Sequence, residues 1–399
     1  MPLRRFLTAY YAYVFLIDFM LGYAIYAVWF EVSGLGVWEI ALLFAIWAGI
    51  AAAFEVPSGA LSDRFDRRWL LVAAPVIKAG TFLLWVFAES SFAWFALGFG
   101  MWSFAMALVS GSKEALLYEH LDAAGRADDY DRALGADRAA AELSVGLAIL
   151  IGAIVGHFSL EATLWLTLPP LALSAIVACW LPDLRRGRSE GDAPRTGYFG
   201  HFANAFAEFK REPDLRFLTL YLMFGTVFGV IEEFDPLYFL ALGLPIWSFG
   251  VIGGIVIGAK AWANLAAHRF AGFSPASWLF PLIGGIMLTL SGVGHSPWML
   301  VPLVIAYLVT APATILAEAR FQSAVGDESR ATTTSAMIFF YCVTGIAMCL
   351  AFGAIAELAG VIPAYGWSGV YLTGFAIWAW SRARRGQSAT RALESRAEL

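Results

Sequence analysis

The chain has 399 residues, of which 60% are hydrophobic and only 14% charged, and its formal net charge is −5. Soluble domains contain roughly 45–50% apolar and about 25% charged residues, so this composition excludes a soluble enzyme and indicates a membrane protein. The basic residues are dispersed along the chain, which leaves no footprint for a nucleic acid. At roughly 20 residues per crossing, the apolar residues suffice for about twelve transmembrane helices.

The apolar residues form twelve runs long enough to span a bilayer. The first run is too long for the core of a signal peptide and has Asp18 at its middle, so we expect it to remain attached. In chain order, the predicted spans are 7–30, 38–61, 69–88, 92–118, 139–158, 161–181, 217–241, 246–267, 276–295, 297–319, 332–358 and 361–381.

The Lys and Arg residues predict the orientation. Of the 26, 23 lie in the termini and in alternate loops, and the short loops on the other side contain none. The remaining three, Lys78, Lys113 and Lys260, lie within spans. Because cytoplasmic loops are enriched in Lys and Arg, we expect a multi-pass protein of the inner (plasma) membrane with both termini in the cytoplasm.

The longest inner connection, 182–216, is predicted to be a linker between two sets of six spans. Its first half is polar and rich in helix breakers. Its second half has Phe199, Phe202, Phe206 and Phe209 at helical spacing, which predicts an amphipathic helix that either lies on the inner membrane surface or packs under the bundle. The predicted domains are a six-helix bundle at 1–181, this linker, a second six-helix bundle at 217–381 and a cytoplasmic tail at 382–399.

The two predicted bundles share short sequence matches in the same order. Gly-Leu-Gly-Val-Trp after the first span, at 34–38, recurs as Gly-Leu-Pro-Ile-Trp after the seventh, at 243–247. Phe-Leu-Thr occurs at 6–8 and again at 217–219. These matches favour a duplicated six-helix unit. Parallel repeats of this kind predict a site near the midplane between the halves.

The loop after the second span, SGALSDRFDRR at 58–68, resembles the signature of the major facilitator superfamily, Gly-x-Leu-x-Asp-Arg-x-Gly-Arg-Arg/Lys. Asp66 stands where that family usually has Gly. The resemblance extends over the whole chain through the twelve spans and the central linker. It implies an all-α membrane protein whose twelve transmembrane helices form two six-helix bundles. The matching residues are Gly59, Leu61, Asp63, Arg64, Arg67 and Arg68.

The resemblance also implies that this loop gates the conformational change. Gly59 would allow the helices of the second and eleventh predicted spans to approach closely. Asp63 would face the positive N-terminal end of the helix of the eleventh span. A carboxylate there gains about 0.3–1 kcal/mol, enough for a latch. The alternative is a topological anchor, since the loop arginines would hold it inside even if nothing moved. The fourth predicted span lacks an embedded Arg, and the fifth lacks a Gly-Pro pair, so the sequence departs from the usual drug–proton antiporters.

Five charged residues inside the spans are candidates for a proton-coupling or substrate site, because a charge at mid-span needs a partner or water. Asp18 is too short to reach the interface and is the first candidate for protonation. Lys78 lies about 14 Å from the inner end of its helix, so we expect a carboxylate partner. The alternative for Asp18 is therefore a structural ion pair with a lysine such as Lys78. Lys113 is only about 7.5 Å from the inner end and either snorkels or pairs with an acid such as Glu114. Lys260, in the eighth span, lies at an intermediate depth.

The seventh span contains further acids. Glu232 and Asp235 share one helix face, Glu233 points elsewhere, and Pro236 follows. One interpretation is that the proline breaks the helix and the acids line a cavity. The alternative is that the helix ends near Val230 and the acids are exposed to water at the outer surface.

No ATP-binding loop surrounds any lysine, no His-Glu-x-x-His pattern occurs, and the cysteines lie unpaired in apolar runs, so we expect no enzyme activity, cofactor or metal. The prediction is a monomeric secondary transporter that moves a small organic solute by alternating access, coupled to protons, with export of a drug-like or amphipathic compound as the first choice. Import of an anionic metabolite is favoured if all three lysines line the cavity. A lipid flippase and a non-transporting receptor are further alternatives.

Overall fold

The computed structural model describes residues 1–110, 112–182, 213–270, 278–325 and 330–397, and within these ranges every regular element is helical. The side chains of residues 55–64 also lie outside the description. The α-helices are α1 (Leu3–Asp18), α2 (Tyr26–Val32), α3 (Val37–Arg64), α4 (Arg67–Val86), α5 (Phe92–Val109), α6 (Ser112–Ala123), α7 (Tyr130–Phe158), α8 (Leu160–Ala178), α9 (Pro213–Ala241), α10 (Trp247–Ala266), α11 (Leu279–Ser291), α12 (Leu300–Ala324), α13 (Arg330–Ala359) and α14 (Val361–Ala397).

These helices confirm the prediction of an all-α membrane protein and accommodate the twelve predicted spans. Eight stretches of the described chain are long and apolar enough to cross a bilayer, and two shorter apolar helices, Trp247–Ala263 and Leu279–Ser291, correspond to two further predicted spans. The predicted amphipathic helix at 199–209 lies outside the described residues. The last helix continues to Ala397, so most of the predicted tail is helical.

Two predicted spans are interrupted rather than continuous. The first consists of α1, a single 3-10 turn at Leu21–Ala24, and α2. Asp18 is therefore the last residue of a half-helix, which corrects the expectation that it lies in the middle of one continuous helix. The fourth span is divided between α5 and α6 at Ser110.

The described helices belong to two compact units. The first comprises Met1–Pro194 with Leu244–Gly254, and the second comprises Arg195–Gly243 with Ile255–Leu399. In the first unit, α4 packs against α5 and α8, and α1 packs against α7 and α8. In the second unit, α11 packs against α12 and α14, and α9 packs against α12, α13 and α14.

The repeated glycine motif has the same local structure in both places. Gly34 follows α2 with φ 97°, and Gly243 follows α9 with φ 76°. Each N–H closes the end of its helix, from Gly34 to the Glu31 carbonyl and from Gly243 to the Leu240 carbonyl, both at 2.9 Å. Glycine is preferred at such a left-handed C-terminal cap because it has no Cβ. This shared geometry supports the interpretation that the two units arose by duplication.

Candidate functional site

The arginine-rich loop is only partly described. Arg67 lies 2.8 Å from the carboxylate of Glu119 on α6, and its own side chain is 5% exposed. The Asp66 carboxylate accepts a hydrogen bond of 3.0 Å from the Arg68 N–H and caps the N-terminus of α4. Capping gives a structural reason for an Asp at this position.

Gly59, Asp63 and Arg64 belong to the last turns of α3, but their side chains lie outside the description. Their predicted gating role remains a prediction.

Asp18 and Lys78 form an ion pair at the interruption of the first span. Lys78 Nζ donates to Asp18 Oδ1 at 3.0 Å and to the Ile17 carbonyl at 3.3 Å. The Lys78 side chain is fully buried, whereas that of Asp18 is 27% exposed. The last carbonyls of a helix have no partner within the helix, and a cation is favourable there. Lys78 therefore neutralises Asp18 and caps α1 at the same time.

Neighbouring helices supply further partners to the interruption. The Gly22 N–H donates to Thr167 Oγ1 on α8 at 3.1 Å. Ser144 Oγ on α7 donates to the Phe15 carbonyl at 2.5 Å. Gly152, also on α7, lies directly against the Leu21 carbonyl and leaves no room for a Cβ. Backbone groups released by the interruption are thus satisfied from three helices, counting Lys78 on α4.

Lys113 has a partner that the sequence did not suggest. Its Nζ lies 2.7 Å from Asp137 Oδ2 on α7, and the Tyr10 hydroxyl donates to Asp137 Oδ1 at 2.9 Å. Asp137 is 2% exposed and Lys113 is 21% exposed. Glu114, one of the acids considered as a partner of Lys113, makes no ion pair with the part of the chain described here.

Asp137 was missed because the fifth span was predicted to begin at residue 139, whereas α7 begins at Tyr130. The sequence signal that could have identified Asp137 was a stripe of small and polar residues at helical spacing. Its members Asp137, Ser144, Ala148 and Gly152 are all buried, at the α7 surface that borders α1.

The acids of the seventh span lie within a continuous helix. α9 runs through Pro236 to Ala241, so the alternative in which the helix ends near Val230 is wrong. The expected break at Pro236 does not occur either. Lys260 Nζ on α10 contacts both carboxylate oxygens of Glu232, at 2.7 and 2.9 Å. This pair is accessible, with Lys260 31% and Glu232 38% exposed.

Asp235 has a different environment. It is 7% exposed. The Tyr307 hydroxyl on α12 donates to its Oδ2 at 3.1 Å, and the Tyr365 hydroxyl on α14 donates to its Oδ1 at 2.7 Å. Among the described residues, no Lys or Arg forms an ion pair with Asp235. It is a membrane-embedded carboxylate held by neutral donors.

The ion-paired groups of the spans in both units are partly exposed, with the exception of Lys78 and Asp137. Partly exposed charges inside a span require contact with water or a polar cavity. The first unit presents Asp18 and Lys113, and the second unit presents Glu232 and Lys260. Each unit therefore offers an accessible carboxylate and an accessible ammonium, and all three span lysines have a carboxylate partner.

The comparison with protein families identifies one match. The sequence profile described as Major Facilitator Superfamily matches residues 7–349. No curated protein sequence matches the chain.

Solved structures with a similar fold include two transporters. One is the nucleoside transporter NupG in a mutant form, with a TM-score of 0.77 and 15% identity over 94% of this chain and 98% of that one. The other is a bacterial homolog of the human lysosomal transporter Spinster, inward-facing and unoccupied, with a TM-score of 0.75 and 16% identity over 96% and 98% of the two chains. At such identities the likeness concerns the fold alone.

Proposed function

The chain belongs to the major facilitator superfamily, and from this premise we propose that it is a secondary transporter that couples proton movement to the passage of a small organic solute by alternating access. The family and the fold identify a multi-pass membrane transporter rather than an enzyme. The proton, the solute and the direction of transport are the parts that we propose.

The observation that carries the proton coupling is the environment of Asp235. A buried carboxylate without a cation is costly when ionised, and protonation removes that cost. Two tyrosine hydroxyls contact it, and a hydroxyl is able either to donate to a carboxylate or to accept from a protonated carboxyl group. Both charge states of Asp235 therefore have hydrogen-bond partners in the same place.

Asp18 is the second proposed proton site. Its carboxylate is accessible, and its partner Lys78 retains a second acceptor, the Ile17 carbonyl, when Asp18 becomes neutral. Protonation of Asp18 would leave a buried ammonium with one partner fewer. Asp18 in the first unit is thus paired with a lysine, whereas Asp235 in the second unit accepts hydrogen bonds from two tyrosines.

For the solute, we propose outward movement of an amphipathic, drug-like compound. Support comes from the surroundings of Asp18, where Phe15 and Phe19 stack with their ring centroids 5.4 Å apart and both remain partly exposed. Partly exposed aromatic faces are a favourable setting for an amphipathic cation.

Import of an anionic metabolite is the weaker alternative. It was favoured on the condition that Lys78, Lys113 and Lys260 all line a cavity. Lys78 is fully buried, and each of the three lysines is already neutralised by a carboxylate. A lipid flippase or a non-transporting receptor on the same fold would be identified by the experiment below.

The test begins with a thermal-shift screen of the purified protein against drug and metabolite panels. The strongest stabilising compound is then followed in proteoliposomes with an imposed pH gradient. We expect Asp235→Asn to lose gradient-driven accumulation while solute counterflow, which needs no net proton movement, is retained. The matched control is Glu114→Gln, an acid of the spans that forms no ion pair with any described residue, and this variant should accumulate solute like the wild type.

Three outcomes would contradict the proposal. Accumulation at the wild-type level in Asp235→Asn would exclude this acid from coupling. Binding without counterflow in the wild type would favour a receptor, and movement of labelled phospholipid instead of the soluble compound would favour a flippase.

We also propose that both termini are cytoplasmic and that the protein lies in the inner (plasma) membrane, because the basic residues collect in alternate loops. In a cysteine-free background, His295→Cys should react with an impermeant thiol reagent from outside, and Ala124→Cys should not. Both positions are exposed, so reversed labelling would overturn the orientation.

A further inference from the structure

Tyr365 differs from Tyr307 in having two acceptors within reach. Its hydroxyl oxygen lies 2.7 Å from Asp235 Oδ1 and 2.9 Å from the Ile231 carbonyl. For the Tyr307 hydroxyl, Asp235 Oδ2 at 3.1 Å is the sole acceptor in the part of the chain described. Both tyrosines therefore donate to the same carboxylate, but of the two, Tyr365 is the one with a second described acceptor to which its hydroxyl hydrogen can turn.

The surrounding packing fixes the ring of Tyr365. Tyr238 stacks on it with centroids 4.1 Å apart, and Phe352 contacts it edge-on at 5.5 Å. Tyr365 and Tyr238 are both fully buried. The hydroxyl hydrogen can turn between two acceptors while the ring stays in place, because rotation about the C–O bond needs no space.

We propose that Tyr365 is the positioning residue that lets Asp235 gain and lose a proton without any movement of heavy atoms; this inference rests on the proposed proton coupling. When Asp235 is ionised, Tyr365 donates to Oδ1. When a proton binds to Oδ1, the new O–H donates to the Tyr365 oxygen, and the Tyr365 hydrogen turns to the Ile231 carbonyl. Tyr365 keeps its own proton throughout, so one proton is bound on loading and the same proton leaves on release.

The other charged and titratable groups around Asp235 do not perform this exchange. Glu232 on the same helix is paired with Lys260 of α10, and Tyr307 of α12 donates in both states. From α13, Tyr341 lies near Glu232, and Cys349 lies near Glu233. Among the described groups, those that interact with Asp235 itself are Tyr365, Glu232, Tyr307, Lys260 and Tyr238, and the hydroxyl of Tyr238 donates to the Ser291 carbonyl at 2.7 Å.

The two tyrosines form a matched pair for the test, since Tyr365→Phe and Tyr307→Phe each remove one hydroxyl from the same carboxylate. Without Tyr307, the ionised form loses a charge-assisted hydrogen bond and the protonated form loses a weaker neutral one, so the protonation midpoint should rise by about one pH unit. Without Tyr365, the ionised form loses a donor and the protonated form loses its acceptor. These losses offset each other, so the midpoint should stay near that of the wild type while thermal stability falls.

The measurement is an infrared titration of the full-length protein in liposomes, followed through the protonated carboxyl band that disappears in Asp235→Asn. It requires no solute. A midpoint that rises in Tyr365→Phe as much as in Tyr307→Phe would overturn the proposal, because Tyr365 would then act as a donor alone.

If Tyr365→Phe does not fold, the frequency of the Asp235 band in the wild type decides the question. We expect the frequency of a carboxyl group that donates a hydrogen bond, and the frequency of a free carboxyl group would overturn the role of Tyr365. The absence of any titrating Asp235 band would instead overturn Asp235 as the proton site. A failure of the proposed function is thus distinguishable from a failure of this inference.

Discussion

The first membrane segments of the two units differ in helix continuity, and the difference is the opposite of what their sequences predict. The segment at 7–30 contains no proline, yet it is interrupted between α1 and α2. The corresponding segment of the second unit, α9, contains Pro236 and is continuous. Local helix propensity predicts the opposite, because an interior proline removes a backbone hydrogen bond and clashes with the preceding turn.

The partners from neighbouring helices account for the difference. At the interruption, Lys78 satisfies the Ile17 carbonyl and Thr167 satisfies the Gly22 N–H. In a bilayer, backbone groups without helical partners need replacements from the protein or from a water-filled cavity, and here side chains of neighbouring helices supply them. At Pro236 a single N–H is absent, and the helix tolerates this loss.

The largest effect should follow from removing Lys78. Lys78→Met leaves the carboxylate of Asp18 without its ion-pair partner and the end of α1 without its cap. Breaking a buried pair on one side costs about 3–5 kcal/mol. We expect little folded protein and a strongly lowered melting temperature, measured in detergent by tryptophan fluorescence or calorimetry.

The double variant Lys78→Met with Asp18→Asn is the control, and it should recover part of the stability because no charge is left stranded. Asp18→Asn alone separates two roles of this acid. A purely structural partner would lower stability and leave accumulation per folded molecule intact, whereas a proton site would lose gradient-driven accumulation as well, which is the outcome we expect. A Lys78→Met protein as stable as the wild type would contradict the proposed cap.

An intermediate effect is expected at Gly152, where α7 touches the Leu21 carbonyl. A methyl group there must push the interruption away from α7, and overpacking of this kind costs about 1–3 kcal/mol. Gly146 on the same helix has nothing within 4 Å of the position of a Cβ, so Gly146→Ala is the matched control. Gly152→Ala should lower the melting temperature, and Gly146→Ala should leave it unchanged or raise it. Equal effects would show that α7 does not support the interruption.

The sequence predicted the spans well because apolar runs of bilayer length are a strong signal. It did not predict the interruption, since residues 19–25 are as apolar as their neighbours and their partners Lys78 and Thr167 lie far away in the chain. The requirement for a carboxylate near Lys78 followed from depth, and Asp18 was a candidate for that partner, which lies 3.0 Å away in the structure. The identity of Asp137 as the partner of Lys113 needed the three-dimensional packing.

The smallest effect is expected at Pro236. If neighbours rather than the proline determine where a span is interrupted, Pro236→Ala should leave α9 continuous and leave Asp235 between Tyr307 and Tyr365. The new N–H can bond to the Glu232 carbonyl, and one such hydrogen bond contributes about 1 kcal/mol, so a slightly higher melting temperature is expected. The infrared titration of Asp235 should keep its midpoint, because none of its hydrogen-bond partners changes. A displaced midpoint, or a protein that no longer folds, would show instead that the proline shapes the second unit, and the contrast between the two segments would then rest on the proline after all.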